Sequence, residues 1–75
     1  MPTPEELQTR IEEAIPGAKA VVIDTTGTQD HFRAEVSSPA FTGLSRIAQH
    51  RLVYDVFGDE IGGAIHALSL KTEPS

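Results

Sequence analysis

The side chains best suited to metal binding are three histidines, His31, His50 and His66, because the 75-residue chain has no cysteine and its single methionine is Met1. We expect His31 to open the second strand of the fold and His66 to lie near the start of the third. If these strands are neighbours, both imidazoles approach the same end of the sheet. Two histidines do not make a closed zinc site, which takes four protein ligands, but an open site completed by another protein is reasonable because imidazole also suits iron. The alternative is that both are ordinary strand residues, with His66 half-packed and hydrogen-bonded to the backbone.

A second candidate site is the only concentration of basic residues, Arg46, His50 and Arg51. On a helix, these side chains can contact the phosphates of a nucleic acid or the carboxylates of a protein partner. The alternative is a solvated helix face, which the formal net charge of -5 favours.

Catalysis is not indicated by any motif. The hydroxyl residues between Ser37 and Ser45 have no evident base and orienting group beside them, and no glycine-rich phosphate-binding loop is present. A domain of this length buries only about 60% of its unfolded surface, which leaves little room for a deep cleft. We therefore predict that the protein is not an enzyme.

The composition is that of a soluble globular protein, with 39% hydrophobic and 23% charged residues. Six Lys and Arg against eleven Asp and Glu disfavour a stand-alone nucleic-acid binder, whose affinity comes largely from neutralising phosphates. No apolar run approaches the roughly 20 residues that span a bilayer, and the N-terminus lacks the features of a signal peptide. We expect one cytoplasmic domain over residues 1–75, ordered over about 3–72, with 73–75 as a tail.

The elements that must position these residues begin with a helix over about 3–15. Thr3 and Glu6 have the spacing of a capping box, and the Pro16-Gly17 pair ends the helix. Its apolar stripe consists of Leu7, Ile11, Ala14 and Ile15.

Two strands are predicted next, over 18–24 and 31–36, joined by a hairpin loop over 25–30. In the second strand, Phe32, Ala34 and Val36 alternate with polar residues and should face inward.

A second helix is predicted from Leu44 or Ser45 to about Phe57, ended by Gly58. A turn or single helical turn over 59–63 follows it. A third strand is predicted over 64 to about 71, bounded by Gly-Gly and Glu-Pro pairs. The apolar face expected for the helix is Leu44, Ile47, Ala48, Leu52 and Val56.

The predicted order is α-β-β-α-(short α)-β, an α+β fold. A helical crossover between the last two strands should make them parallel, with a right-handed connection. The result is a three-stranded mixed sheet with the helices on one face.

Two segments, FTGLSRIAQHRLVY at 41–54 and GGAIHALSLKT at 62–72, together with the His31-Phe32 pair, resemble the BolA family. The resemblance extends from the first helix to Thr72. It implies a three-stranded mixed sheet with packed helices, similar to the type II KH domain, which agrees with the element order.

The resemblance also implies a function. BolA-like proteins partner monothiol glutaredoxins and share a glutathione-ligated [2Fe-2S] cluster in iron handling and redox regulation. By this resemblance, the isolated chain holds no cofactor and is a monomer or weak homodimer. The C-terminal histidine ligand of the family corresponds to His66. A second ligand is usually a Cys or His in the loop between the first two strands, but residues 25–30 offer neither. Either His31, just past the loop, substitutes for it, or the chain supplies one ligand and binds its cluster differently.

The family is also described as DNA-binding transcriptional regulators linked to stress and cell shape. That function would use the second helix, with Arg46, His50 and Arg51 on duplex DNA. A nucleic-acid-binding KH domain clamps the backbone with a GxxG loop, and here only Gly43 is present at that position. We therefore expect the protein to function as a glutaredoxin-binding adaptor, and DNA binding is the alternative function.

Overall fold

The computed structural model describes residues 3–28, 31–63, 65 and 67–75. It contains two α-helices, a three-stranded sheet and two short 3₁₀ helices at Pro39–Phe41 and Gly58–Glu60. The sheet order is β1-β2-β3, with β1 antiparallel and β3 parallel to the central β2. This is the predicted α+β fold with a mixed sheet. The helices and strands are α1 (Pro4–Ala14), β1 (Lys19–Asp24), β2 (His31–Ser38), α2 (Arg46–Phe57) and β3 (Ala67–Pro74).

α1 forms as its capping signals predict. The Thr3 hydroxyl accepts a hydrogen bond from the Glu6 backbone N–H at 3.2 Å, which satisfies one of the free donors at the helix start. Leu7 and Ile11 are fully buried against the sheet. After the helix, Gly17 turns the chain towards β1 with a φ of 70°.

The helices cover one face of the sheet, as predicted. Phe32, Ala34 and Val36 of β2 are buried in the same core as the apolar residues of both helices. The opposite face is open and carries Val21 and Ile23, which are 57% and 48% exposed.

β3 runs from Ala67 to Pro74 and so ends three residues beyond the predicted strand over 64–71, of which residues 64 and 66 lie outside the described residues. Glu73 and Pro74, expected in a tail, belong to the strand. The Ser75 N–H donates to the Ser38 carbonyl at 3.2 Å, so odd-numbered residues of β3 direct their backbone groups towards β2. Pro74 therefore faces the outer edge, where its missing N–H costs no hydrogen bond within the sheet.

The buried face of α2 differs from the predicted one. Gln49, Val53 and Phe57 are buried, whereas Ile47 is 72% exposed. Burying the phenyl ring of Phe57 removes more apolar surface from water than any side chain of the predicted stripe would. Gln49 is accommodated because its Nε2 donates to the Leu44 carbonyl at 3.0 Å.

Candidate functional site

The first candidate site is the end of the sheet at which β2 begins. His31 is the first residue of β2, as predicted, and is partly buried. It pairs with Ala67, the first residue of β3, in the parallel register. The His31 carbonyl accepts hydrogen bonds from the Thr25 N–H at 3.0 Å and the Thr25 hydroxyl at 3.2 Å. These bonds fix the His31 backbone beside the β1–β2 loop.

The loop itself is held by Asp24, the last residue of β1. Its Oδ1 accepts hydrogen bonds from the N–H groups of Thr26 at 3.2 Å and Gly27 at 2.9 Å. This is the local side-chain-to-backbone bonding that favours aspartate in turns. The four described loop residues offer hydroxyl groups from Thr25, Thr26 and Thr28 and no imidazole. Among the described residues, the imidazole that directly follows the predicted loop in the sequence is that of His31.

His66, the other predicted metal ligand, lies outside the described residues. Within the described ranges, no group of three or more His, Cys, Asp or Glu side chains is arranged to hold a metal ion. The metal-ligand assignments of His66 and His31 therefore remain predictions.

The second candidate site is a groove of about 330 Å³ between the start of α2 and β3. The α2 N-terminus is fixed by Ser45, whose hydroxyl accepts a hydrogen bond from the Ala48 N–H at 3.1 Å. The groove is lined by Arg46, His50, Leu70, Lys71 and Thr72.

Two of the three residues predicted for DNA binding line this groove. Arg46 and His50 line it, but Arg51 is exposed and is not among its lining residues. Lys71 of β3 also lines the groove, which sequence reasoning missed, but strand alternation places its side chain on the opposite face of the sheet from Leu70 and Thr72. A pairing between α2 and β3 is non-local, so no sequence spacing could have revealed it.

The polar groups of this groove are incompletely paired. Neither Arg46 nor Lys71 takes part in an ion pair within the described part of the chain. The Thr72 Oγ1 atom is buried and has no hydrogen-bond partner among the described residues. The groove therefore offers positive charge at its rim that the fold itself does not neutralise.

These features define the class of protein: a small α+β domain with helices on one face of a mixed three-stranded sheet. The family model described as BolA-like protein matches residues 8–75, and the chain belongs to this family.

The chain is similar to human BolA-like protein 1, with 41% identity over 69 residues, which is 92% of this chain and 46% of that protein. It is also similar to the DNA-binding transcriptional regulator BolA of Vibrio cholerae, with 44% identity over 46 residues, 61% of this chain and 43% of that protein. It thus spans about half the length of these curated relatives or less.

Among solved structures, the BolA protein homologue from Coxiella burnetii superposes with a TM-score of 0.75 at 39% identity, covering 96% of this chain and 90% of that one. None of the helices in the described ranges has the length and apolar character needed to cross a membrane.

Proposed function

We propose that this BolA-like chain is a non-enzymatic adaptor that binds a monothiol glutaredoxin and shares with it a glutathione-ligated [2Fe-2S] cluster. His66 and His31 are the proposed cluster ligands. The observation that carries the proposal is the position of His31 at the start of the central strand, in register with Ala67. Ala67 directly follows His66 in the sequence.

The residue chemistry suits a shared cluster rather than one held by this chain alone. Iron–sulfur clusters are generally held by four protein ligands, and imidazole can replace thiolate on one iron. The chain has no thiolate to offer, since it lacks cysteine. A partner protein and glutathione therefore supply the sulfur ligands in this proposal.

The chain's own contribution is to hold an imidazole donor at a fixed end of the sheet. The two hydrogen bonds from Thr25 to the His31 carbonyl restrain the backbone from which that imidazole extends. A ligand fixed in this way loses less conformational freedom on binding.

The test is to add the protein to a cluster-loaded monothiol glutaredoxin and record visible absorption and circular dichroism. We expect spectra that differ from the sum of the components. His66→Ala should abolish the difference, and His31→Ala should reduce or alter it. His50→Ala is the matched control, because His50 lies on α2 beside the groove and should leave the spectra of the complex unchanged.

Additive spectra with the wild-type protein would refute the shared cluster. Size-exclusion chromatography of the same mixtures separates binding from ligation, because a variant that still co-elutes has lost only the metal ligand. Far-ultraviolet circular dichroism of each variant shows whether it has folded.

A second candidate function is binding of duplex DNA as a transcriptional regulator. It is favoured by the groove, which places Arg46 and His50 of α2 beside β3. The name of the Vibrio cholerae relative also supports it. The formal net charge of -5 opposes it, so we rank it second.

DNA binding is tested by titrating a short duplex at several salt concentrations. A shallow slope of affinity against salt is expected, since few phosphate contacts are available. Arg46→Glu and Arg51→Glu should both weaken binding if the helix contacts the backbone as predicted. Absence of binding at low salt, or binding that is insensitive to both changes, would exclude this function.

A further inference from the structure

The two outer edges of the sheet differ in how many of their backbone groups are hydrogen-bonded to side chains. At the outer edge of β1, the Ala20 N–H donates to Glu12 Oε2 at 3.1 Å, and the Val22 N–H donates to Gln8 Oε1 at 2.9 Å. Two side chains of α1 therefore occupy two of the backbone donors of that edge. Such protection prevents an unrelated strand from pairing with it.

The outer edge of β3 has no comparable protection along its middle. Even-numbered residues of β3 direct their backbone groups outward, because the odd-numbered ones bond to β2. The outward Leu68 carbonyl accepts a hydrogen bond from the Tyr54 hydroxyl at 2.9 Å. Beyond it, within the described residues, no hydrogen bond occupies the outward backbone groups of Leu70 and Thr72. At the far end, Pro74 has no N–H to offer.

The open stretch of this edge coincides with the groove. Leu70 and Thr72 form its strand side, and Arg46 and His50 form its helix side. Its volume of about 330 Å³ is at the lower end of the range for ligand sites, which suits a few residues of a peptide. The walls thus combine free strand hydrogen-bonding groups with unpaired positive charge.

We propose that the outer edge of β3 at residues 70–72 binds an extended acidic segment of a partner protein as a fourth strand. The peptide backbone pairs with Leu70 and Thr72, and its carboxylates lie near Arg46. This is strand addition, in which main-chain hydrogen bonds give affinity and side chains give specificity. The proposal goes beyond cluster sharing and does not depend on it.

Charge identifies the partner segment as acidic. Arg46 is one of the six Lys and Arg residues in a chain that has eleven acidic residues. Because Arg46 lacks a carboxylate partner in the described structure, an incoming carboxylate gains an attraction that no internal ion pair already satisfies. The open backbone groups favour a peptide over duplex DNA, since phosphate contacts need positive charge but no strand edge.

The test is fluorescence anisotropy with a labelled hexapeptide of alternating aspartate and valine. Two further peptides serve as controls: one with lysine in place of aspartate, and one with N-methylated amides at alternate positions. We expect binding of the first peptide only. Arg46→Glu should weaken it by about fivefold or more, as expected for loss and reversal of one exposed charge pair.

Arg51→Glu is the matched variant, because it makes the same charge change on the same helix outside the groove. It should change peptide affinity by less than about twofold. In a parallel measurement, amide hydrogen exchange at Leu70 and Thr72 should slow when the peptide binds, while exchange at Ala20 and Val22 stays the same.

Three results would overturn the proposal. They are equal binding of the N-methylated peptide, equal loss of affinity in Arg46→Glu and Arg51→Glu, and an Arg46-dependent site that binds duplex DNA but not the peptide. The last result would instead assign the groove to DNA. None of these measurements uses a cluster or a glutaredoxin, so their failure leaves the adaptor proposal untouched.

Discussion

The Arg10 guanidinium binds the Glu60 carboxylate with both of its terminal nitrogens and so joins α1 to the segment that follows α2. Nη1 donates to Oε1 at 2.9 Å, and Nη2 donates both to Oε2 and to the Val56 carbonyl at 3.3 Å. The guanidinium also lies over the Phe57 ring, 4.9 Å from its centroid. The contacts fix the start of the connection that leads from α2 to β3.

Arg10→Ala should lower the free energy of unfolding by about 1–2 kcal/mol. The change removes a cation–π contact, a hydrogen bond to a backbone carbonyl and the packing of the side-chain stem. Urea unfolding followed by circular dichroism measures the loss. Arg51→Ala is the control, because Arg51 is exposed and makes no ion pair in the described residues, so a change within about 0.5 kcal/mol is expected. Equal losses of unfolding free energy in Arg10→Ala and Arg51→Ala would mean that the contacts of Arg10 do not stabilise the fold.

The same ion pair predicts a dependence of stability on pH. The hydrogen bond from Arg10, helped by its positive charge, lowers the pKa of Glu60 below its ordinary value. A lowered folded-state pKa stabilises the fold at pH values above the unfolded pKa of about 4.3, and the stabilisation is lost as the pH falls through the folded value. Wild type should therefore be more stable than Glu60→Gln from about pH 7 to pH 5, and the difference should disappear by about pH 2. Thermal unfolding across this range measures it. A difference that is independent of pH would contradict the assignment.

The protected edge of β1 gives a third prediction. Gln8→Ala and Glu12→Ala each leave one backbone N–H of β1 without its partner, at Val22 and Ala20. Each should cost about 0.5–1.5 kcal/mol of stability, the usual net value of such a hydrogen bond. The double variant should also self-associate, because an unprotected edge strand pairs with other chains.

Light scattering and urea unfolding test the two parts of this prediction. Glu13→Ala is the matched control, since Glu13 is the exposed neighbour of Glu12 and forms no hydrogen bond with the sheet in the described part of the chain. Self-association of Glu13→Ala to the same extent would attribute the effect to the lost charge rather than to the open edge.

Local signals predicted most of the fold correctly. The Thr3 cap and the alternation in β2 depend on neighbouring residues alone, and both are as expected. The prediction of which face of α2 is buried was wrong, because two apolar stripes fit the spacing of its residues. Only the position of the sheet determines that the stripe with Val53 and Phe57 is the buried one. The predicted end of β3 was wrong because Pro74 was interpreted as a strand terminator. At an outer edge, proline has no such effect.

The candidate sites were predicted in part. The sequence placed His31 at the start of a strand and put Arg46 and His50 on one side of a helix. It did not reveal Lys71 in the groove, because that contact depends on how α2 packs along β3. Arg51 follows His50 directly, and consecutive residues do not share a helix face. The adjacency of His50 and Arg51 in the sequence therefore suggested one basic cluster, but the helix directs Arg51 away from the groove.

The turn between α1 and β1 supplies the fourth prediction. Gly17 has a φ of 70°, and a Cβ atom at this position would lie 2.9 Å from Pro39 Cγ and 3.0 Å from Pro39 Cδ. Gly17→Ala therefore combines a strained backbone with a steric clash, and we expect a loss of about 2–4 kcal/mol.

Gly27→Ala separates the two causes. Gly27 has a similar φ of 77°, but a Cβ atom there would have no neighbour within 4 Å. This variant should lose only the cost of the left-handed backbone, about 1–2 kcal/mol. Urea unfolding of both variants gives the difference, which measures how firmly Pro39 is held against the α1–β1 turn. If both variants lose the same stability, the Pro39 ring moves aside without cost, and the start of the Pro39–Phe41 helix is less rigidly packed than its contacts indicate.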